Sequence, residues 1–138
     1  MKTAAFGRVG DCFILVLGKV PPADADFNPY VAFVRGAIRP DMKPRVLVQS
    51  YSAPLSPKQR QALNELTAPF ANVARIAVLT DSAVARGVVT AMSWFAKEVY
   101  QAFSLSDLNA ALDFLEIPVL LHAELKKMLF DLGKEVPR

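Results

Sequence analysis

Apolar residues along this chain fall into two alternating rhythms. Short aliphatic or β-branched runs of five or six residues are separated by stretches where apolar positions recur every three or four residues. The first rhythm predicts strands and the second predicts amphipathic helices. Ala4–Val9 and Cys12–Leu17 flank Gly10-Asp11, a pair suited to the tight turn of a β-hairpin. The second run is apolar at every position, as a strand covered on both faces requires. Gly18 ends it, and Pro21-Pro22 opens a loop.

Asn28-Pro29 reads as an N-cap with proline at the first helical position, predicting a short helix from Pro29 to about Arg35 that stops at Gly36. Pro40 and Pro44 hold an extended connection into the strand Arg45-Val-Leu-Val-Gln49. Ser56-Pro57-Lys58-Gln59 has capping-box spacing and starts a helix with Ala62, Leu63 and Leu66 on one side, ending before Pro69. The strand Arg75–Leu79 follows, and a helix begins at Ser82. There Val84, Val88, Ala91, Met92 and Phe95 form a single-face apolar stripe. Val99–Phe103 alternates as an edge strand. Ser106-Asp107 caps a helix with Leu108, Ala111, Leu112 and Leu115 inward. Pro118 starts a last helix, with Leu121, Leu125, Met128, Leu129 and Leu132 on one face and Gly133 at its end.

The order β-β-α-β-α-β-α-β-α-α predicts an α/β fold. Its four- to five-stranded, mostly parallel mixed sheet is entered by the hairpin and covered by packed helices. Ile14, Val16, Val46, Val48, Ile76 and Val78 are expected in the interior. With no repeat and no long linker in 138 residues, one domain is expected over 1–138, with a core of about 4–116 and a C-terminal helix over 118–133.

Composition narrows the function classes. Hydrophobic residues make up 53% and mean hydropathy is +0.27, yet no apolar run approaches the roughly 20 residues of a membrane span. The N-terminal Met1-Lys-Thr-Ala-Ala-Phe-Gly7 lacks the apolar core of a signal peptide, so a cytoplasmic protein is expected. The net charge of +3 comes from scattered basic residues, and no nucleic-acid partner is expected. Cys12 is the sole cysteine, which excludes an intramolecular disulfide and cysteine ligand pairs; inside its apolar run it reads as a buried small hydrophobe with a raised pKa. His122 is the sole histidine and has no local acid or nucleophile beside it, so no metal and no cofactor are expected. Trp94, beside Phe95, reads as core or interface packing that would mark a partner surface if exposed, and Leu120, which falls outside the Leu121 stripe, points to a protein partner or a homodimer.

One junction carries candidate chemistry. The apolar strand ending at Leu79 stops at Thr80-Asp81-Ser82, and a helix begins at once, which places the three polar residues at the carboxyl edge of a sheet. Ligands of open α/β sheets gather at that edge. Asp81 and Ser82 sit where amides and the helix dipole favour an anion, and Ser82 also suits a plain N-cap. Arg86, one turn on and off the apolar stripe, is placed to pair with an anion. Gly87 costs about 1 kcal/mol in a helix interior relative to alanine and suits the close approach of another element.

The hairpin, the strand Arg75-Ile-Ala-Val-Leu-Thr80, the short strand ending in Phe103 and the helix Asp107-Leu-Asn-Ala-Ala-Leu-Asp-Phe-Leu115 together resemble the STAS domains of anti-sigma-factor antagonists. They resemble most the small bacterial SpoIIAA-like branch that shares this fold with the CRAL-TRIO lipid-transfer domains. The resemblance covers roughly residues 4–116. It implies a STAS-like fold and a non-enzymatic, protein-binding module of signal transduction with a regulatory serine after an aspartate. Asp81-Ser82 matches that pair, while Ala83 and Val84 stand where the family has Ser and Gly. Counting elements from the hairpin maps the serine junction instead onto the loop 50–56, which makes Ser50 and Ser52 candidates too. The lipid-transfer side of the resemblance implies, as an alternative, a carrier of a small apolar ligand. A third expectation is an enzyme using Asp81 as base.

Overall fold

In the computed structural model, which describes residues 2–51, 55–93 and 99–137, five strands and five helices follow in the expected order. They are β1 (Ala4–Val9), β2 (Cys12–Leu17), α1 (Asp24–Ala37), β3 (Arg45–Ser50), α2 (Pro57–Thr67), β4 (Arg75–Leu79), α3 (Ala83–Ser93), β5 (Tyr100–Phe103), α4 (Leu108–Phe114) and α5 (His122–Gly133). The sheet is mixed and its strand order is that of the chain, β1-β2-β3-β4-β5. β1 and β2 pair antiparallel around Gly10, whose φ of 57° is the left-handed value the turn requires. The three remaining pairings are parallel.

Because β2 to β5 advance in one direction, their three connecting helices lie on one face. Phe13, Leu15 and Leu17 of β2 point there with Val46, Val48 and Ile76, against Phe27, Tyr30 and Val34 of α1, Leu63 and Leu66 of α2 and Val89 of α3. The alternate residues Cys12, Ile14 and Val16 join Leu47, Ala77 and Leu79 on the other face, under α4 and α5. The uninterrupted apolar run of β2 thus serves two cores at once. Five of the six interior positions expected in the strands are buried; Val78 is half-buried because it borders a cavity between the sheet and α3. Among the described residues no helix is long and apolar enough to cross a membrane.

Three helix expectations change. α1 starts at Asp24, not Pro29, and carries the proline inside it. Its N-terminal cap comes from outside the helix: Thr3 Oγ1 accepts the Ala23 amide at 2.8 Å and donates to the Asp26 carboxylate at 2.6 Å. The carbonyl that Pro29 deprives of a helical donor belongs to Ala25, an exposed residue. In α3 the inward stripe is buried Ala85 and Val89 with half-buried Val88 and Met92; Val84 is 65% exposed and Ala91 is exposed. Ala85 and Val89 take the inward side in place of Val84 and Ala91, because the sheet, not the helical periodicity, decides which side of the stripe turns in. A one-turn 3-10 segment, Val119–Leu121, precedes α5, which starts at His122. Trp94 and Phe95 lie outside the described residues.

Tyr30 is fully buried amid Phe6 and Phe27, and its hydroxyl has no hydrogen-bond partner among the described residues. Burial pushes its pKa above the ordinary tyrosine value. Tyr30→Phe removes an unpaired polar atom while leaving the ring in place, so it is expected to raise stability by about 1 kcal/mol. Urea denaturation measures it; a lower midpoint in the variant would mean the hydroxyl has a partner such as a buried water.

Candidate functional site

Thr80, Asp81, Ser82 and Arg86 come together at the carboxyl edge, as the sequence suggested. Thr80 is fully buried. Its amide donates to Phe103 O at 2.9 Å, which ties the end of β4 to the end of β5. Its Oγ1 accepts the Ser82 amide at 3.1 Å, a local turn that frees the chain from the sheet. Ser82 Oγ in turn accepts the Ala85 amide at 3.3 Å, three residues on, which makes Ser82 the N-cap of α3. Arg86 is held from both ends: its amide donates to Ser82 O at 3.0 Å and its Nε to Thr80 O at 3.1 Å. Asp81 is exposed and reaches away from the helix, its Oδ1 accepting the Leu105 amide at 3.1 Å in the loop between β5 and α4.

One junction therefore fixes the start of α3 and the loop before α4. Three polar groups that could serve chemistry are already engaged in holding the backbone. Ligand sites in doubly wound sheets form where the strand order reverses, and here β2 to β5 never reverse.

Ser50 is buried at the end of β3 and borders an apolar cavity of about 50 Å³ enclosed by Leu17, Val48, Leu63, Ile76, Val89 and others between the sheet, α2 and α3. Ser52 lies outside the described residues. Gly87 faces open space rather than a close neighbour, so the packing reading of that glycine is corrected. His122 sits at the first residue of α5, its Nε2 2.9 Å from Ile117 O, and serves the turn there. Cys12 is buried, and desolvation pushes its thiol up to about 12 from 9.0. No group of His, Cys, Asp and Glu among the described residues could hold a metal ion.

The opposite edge of the sheet carries a cluster the sequence did not announce. Arg45 opens β3, only 7% exposed, and its guanidinium reaches four residues in three segments. Nε donates to Leu115 O at 2.6 Å, Nη1 to Val73 O and, at 3.3 Å, to Pro44 O, and Nη2 to Glu116 Oε1 at 3.1 Å. Burial pulls the Arg45 pKa down, Glu116 pushes it up, and Arg75 lowers it further. Arg75 lies over the Phe114 ring at 5.3 Å, donates to Phe114 O at 2.7 Å and approaches Glu116 at 3.6 Å. Glu116 has a φ of 56°, the left-handed conformation in which glycine ordinarily ends a helix. The amides of Glu116 and Ile117 bond back to Asp113 and Leu112, which completes a Schellman turn at the end of α4. A glutamate stands there because its carboxylate serves both arginines. Lys43 borders the same clefts. These residues lie 30 to 70 positions apart in the chain, so only the sheet register could have revealed them.

No protein-family model, curated protein or solved structure matches this chain.

Proposed function

We propose that the protein is a non-enzymatic, STAS-like regulatory module that binds another protein, with Thr80-Asp81-Ser82 as its control point. The observation that carries this reading is the double grip of the junction: Ser82 caps α3 while Asp81 holds the loop at Leu105. A phosphoryl group on half-buried Ser82 brings roughly −1.5 to −2 charges at pH 7. It sits at a helix N-terminus beside Arg86, which favours it, and beside Asp81, which opposes it. Repulsion pushes the Asp81 carboxylate off the Leu105 amide, so a charge at one residue reshapes the exposed surface of three elements. Couplings of this kind run at about 1–3 kcal/mol.

The apolar cavity favours a second reading, a carrier of a small apolar ligand. Its 50 Å³ is well below the ~300–1,000 Å³ of ordinary ligand pockets, which ranks that reading second. An enzyme using Asp81 ranks third, since an oxygen of that carboxylate already braces the Leu105 amide.

The test compares wild type, Ser82→Ala and Ser82→Asp as baits in native cell extract. Ser82→Ala is expected to cost about 1 kcal/mol of stability through the lost cap, measured by urea denaturation. Ser82→Asp retains a capping oxygen and holds stability near wild type, so a change in its bound partners reports the switch rather than unfolding. Identical partners in identical amounts for all three baits would make the junction purely structural.

A further inference from the structure

The cation cluster at the amino edge of β3 and β4 borders a cleft of about 210 Å³, formed by Lys43, Arg45, Arg75, Glu116 and the turn carrying Asn72. Three cations face one carboxylate there, a local excess of two positive charges. Arg45 has spent its donors on backbone carbonyls and Glu116. Arg75 has not: Nη1 is engaged, while Nε and Nη2 carry no hydrogen bond among the described residues. Lys43 is exposed and has no ion-pair partner among the described residues. Asp11 borders only the adjoining cleft and lies 3.8 Å from Arg8.

A network built solely to hold the fold would match its charges, because each unpaired cation crowded beside another raises the energy of the folded state. Here the only counter-charge lining the cleft among the described residues is a glutamate kept in a left-handed backbone conformation, and it is 60% exposed at its side chain. We propose that this cleft is a binding site for a small phosphate-bearing solute, held by Lys43 and Arg75 with Asn72 at its rim and Arg45 as the fixed charge behind it. A phosphate monoester carries close to two negative charges at neutral pH and presents oxygens that suit a guanidinium fork. At about 210 Å³ the cleft accommodates a phosphate with a short attached group. This site stands apart from the Ser82 junction and does not depend on the function proposed for it.

Inorganic phosphate is the probe, titrated into isotope-labelled protein at constant ionic strength and followed by amide chemical shifts. Saturable shifts are expected at residues 43–45, 71–75 and 115–117. Lys43→Gln is expected to weaken binding about three- to tenfold and Glu116→Gln to tighten it by a similar factor, since each changes one unit charge at short range. Both substitutions alter exposed side chains, so both variants fold. Shifts that fail to saturate, that chloride reproduces, or that move the same way in the two variants overturn the proposal. Vesicles containing phosphatidic acid form the other arm: sedimentation of the protein with them, without saturable binding of free phosphate, overturns the assignment to a small solute.

Discussion

Arg45→Met is expected to destabilise the protein by about 3–5 kcal/mol, the largest loss from any single polar side chain here. Arg45 lies between Cys12 and Arg75 in the sheet register, at the point where β3 begins. From there it serves the carbonyls of Leu115, Val73 and Pro44 and the Glu116 carboxylate. Methionine fills much of the stem volume, so the loss measures the guanidinium and not a cavity. Bonds from a charged donor contribute roughly 1.5–3 kcal/mol each, and carbonyls left in a dry site cost more than carbonyls returned to water. Glu116 is largely exposed and recovers its hydration, which keeps the total near the lower end. Arg45→Lys retains the charge but not the planar fork, and is expected to recover less than half of the loss. Urea midpoints for the two variants check both statements. A loss below about 1 kcal/mol for Arg45→Met would mean that water replaces the guanidinium at all three carbonyls.

The second large effect is expected at Gly18. A Cβ there would stand 2.1 Å from Pro137 O and 2.7 Å from Val136 Cγ1, and the first of these is backbone that cannot swing away. Gly18→Ala therefore displaces the segment after α5 from the end of β2. With it goes the bond from the Lys19 amide to Pro137 O at 3.2 Å and the burial of Val136, only 3% exposed. Burying a valine stabilises by about 1.5–3 kcal/mol, and a loss of that order is expected. A chain truncated after Lys134 should lose a similar amount, and Gly18→Ala in that shortened chain should cost little more. Additive losses in the doubly altered chain would place the effect of Gly18 elsewhere.

The sequence announced some of this architecture and was silent on the rest for physical reasons. Signals that act within a few residues were readable: the Gly10-Asp11 turn, the Ser56–Gln59 capping box with its bonds of 3.0 and 3.1 Å, and the Ser82 cap. The start of α1 was not, because Thr3 supplies its cap from 20 residues away. In α3 the sequence pattern places Val88 and Met92 inward, as the structure does, but cannot choose between Val84 with Ala91 and Ala85 with Val89, which are equally periodic. Which set turns inward is decided by the sheet. Element order could not reveal that β2 to β5 never reverse, which removes the strand-order switch where ligands of doubly wound sheets sit. The Arg45–Glu116–Arg75 cluster was hidden by distance, and by a glutamate standing where glycine would have signalled the helix end.

A sheet laid down in chain order has a consequence for synthesis. Each strand, as it emerges, finds its neighbour already made, so β1 to β5 and the layer of α1 to α3 can assemble progressively from the ribosome without waiting for distant sequence. The other layer cannot. Ala5, Val9, Cys12, Ile14 and Val16, from the first hairpin, are covered by Leu125, Leu129 and Leu132 of α5. The nascent chain thus carries a bare apolar face, with Cys12 on it, until α5 has been made. That interval, rather than any stage of the finished fold, is when this chain is most open to oxidation, to chaperones and to its own neighbours.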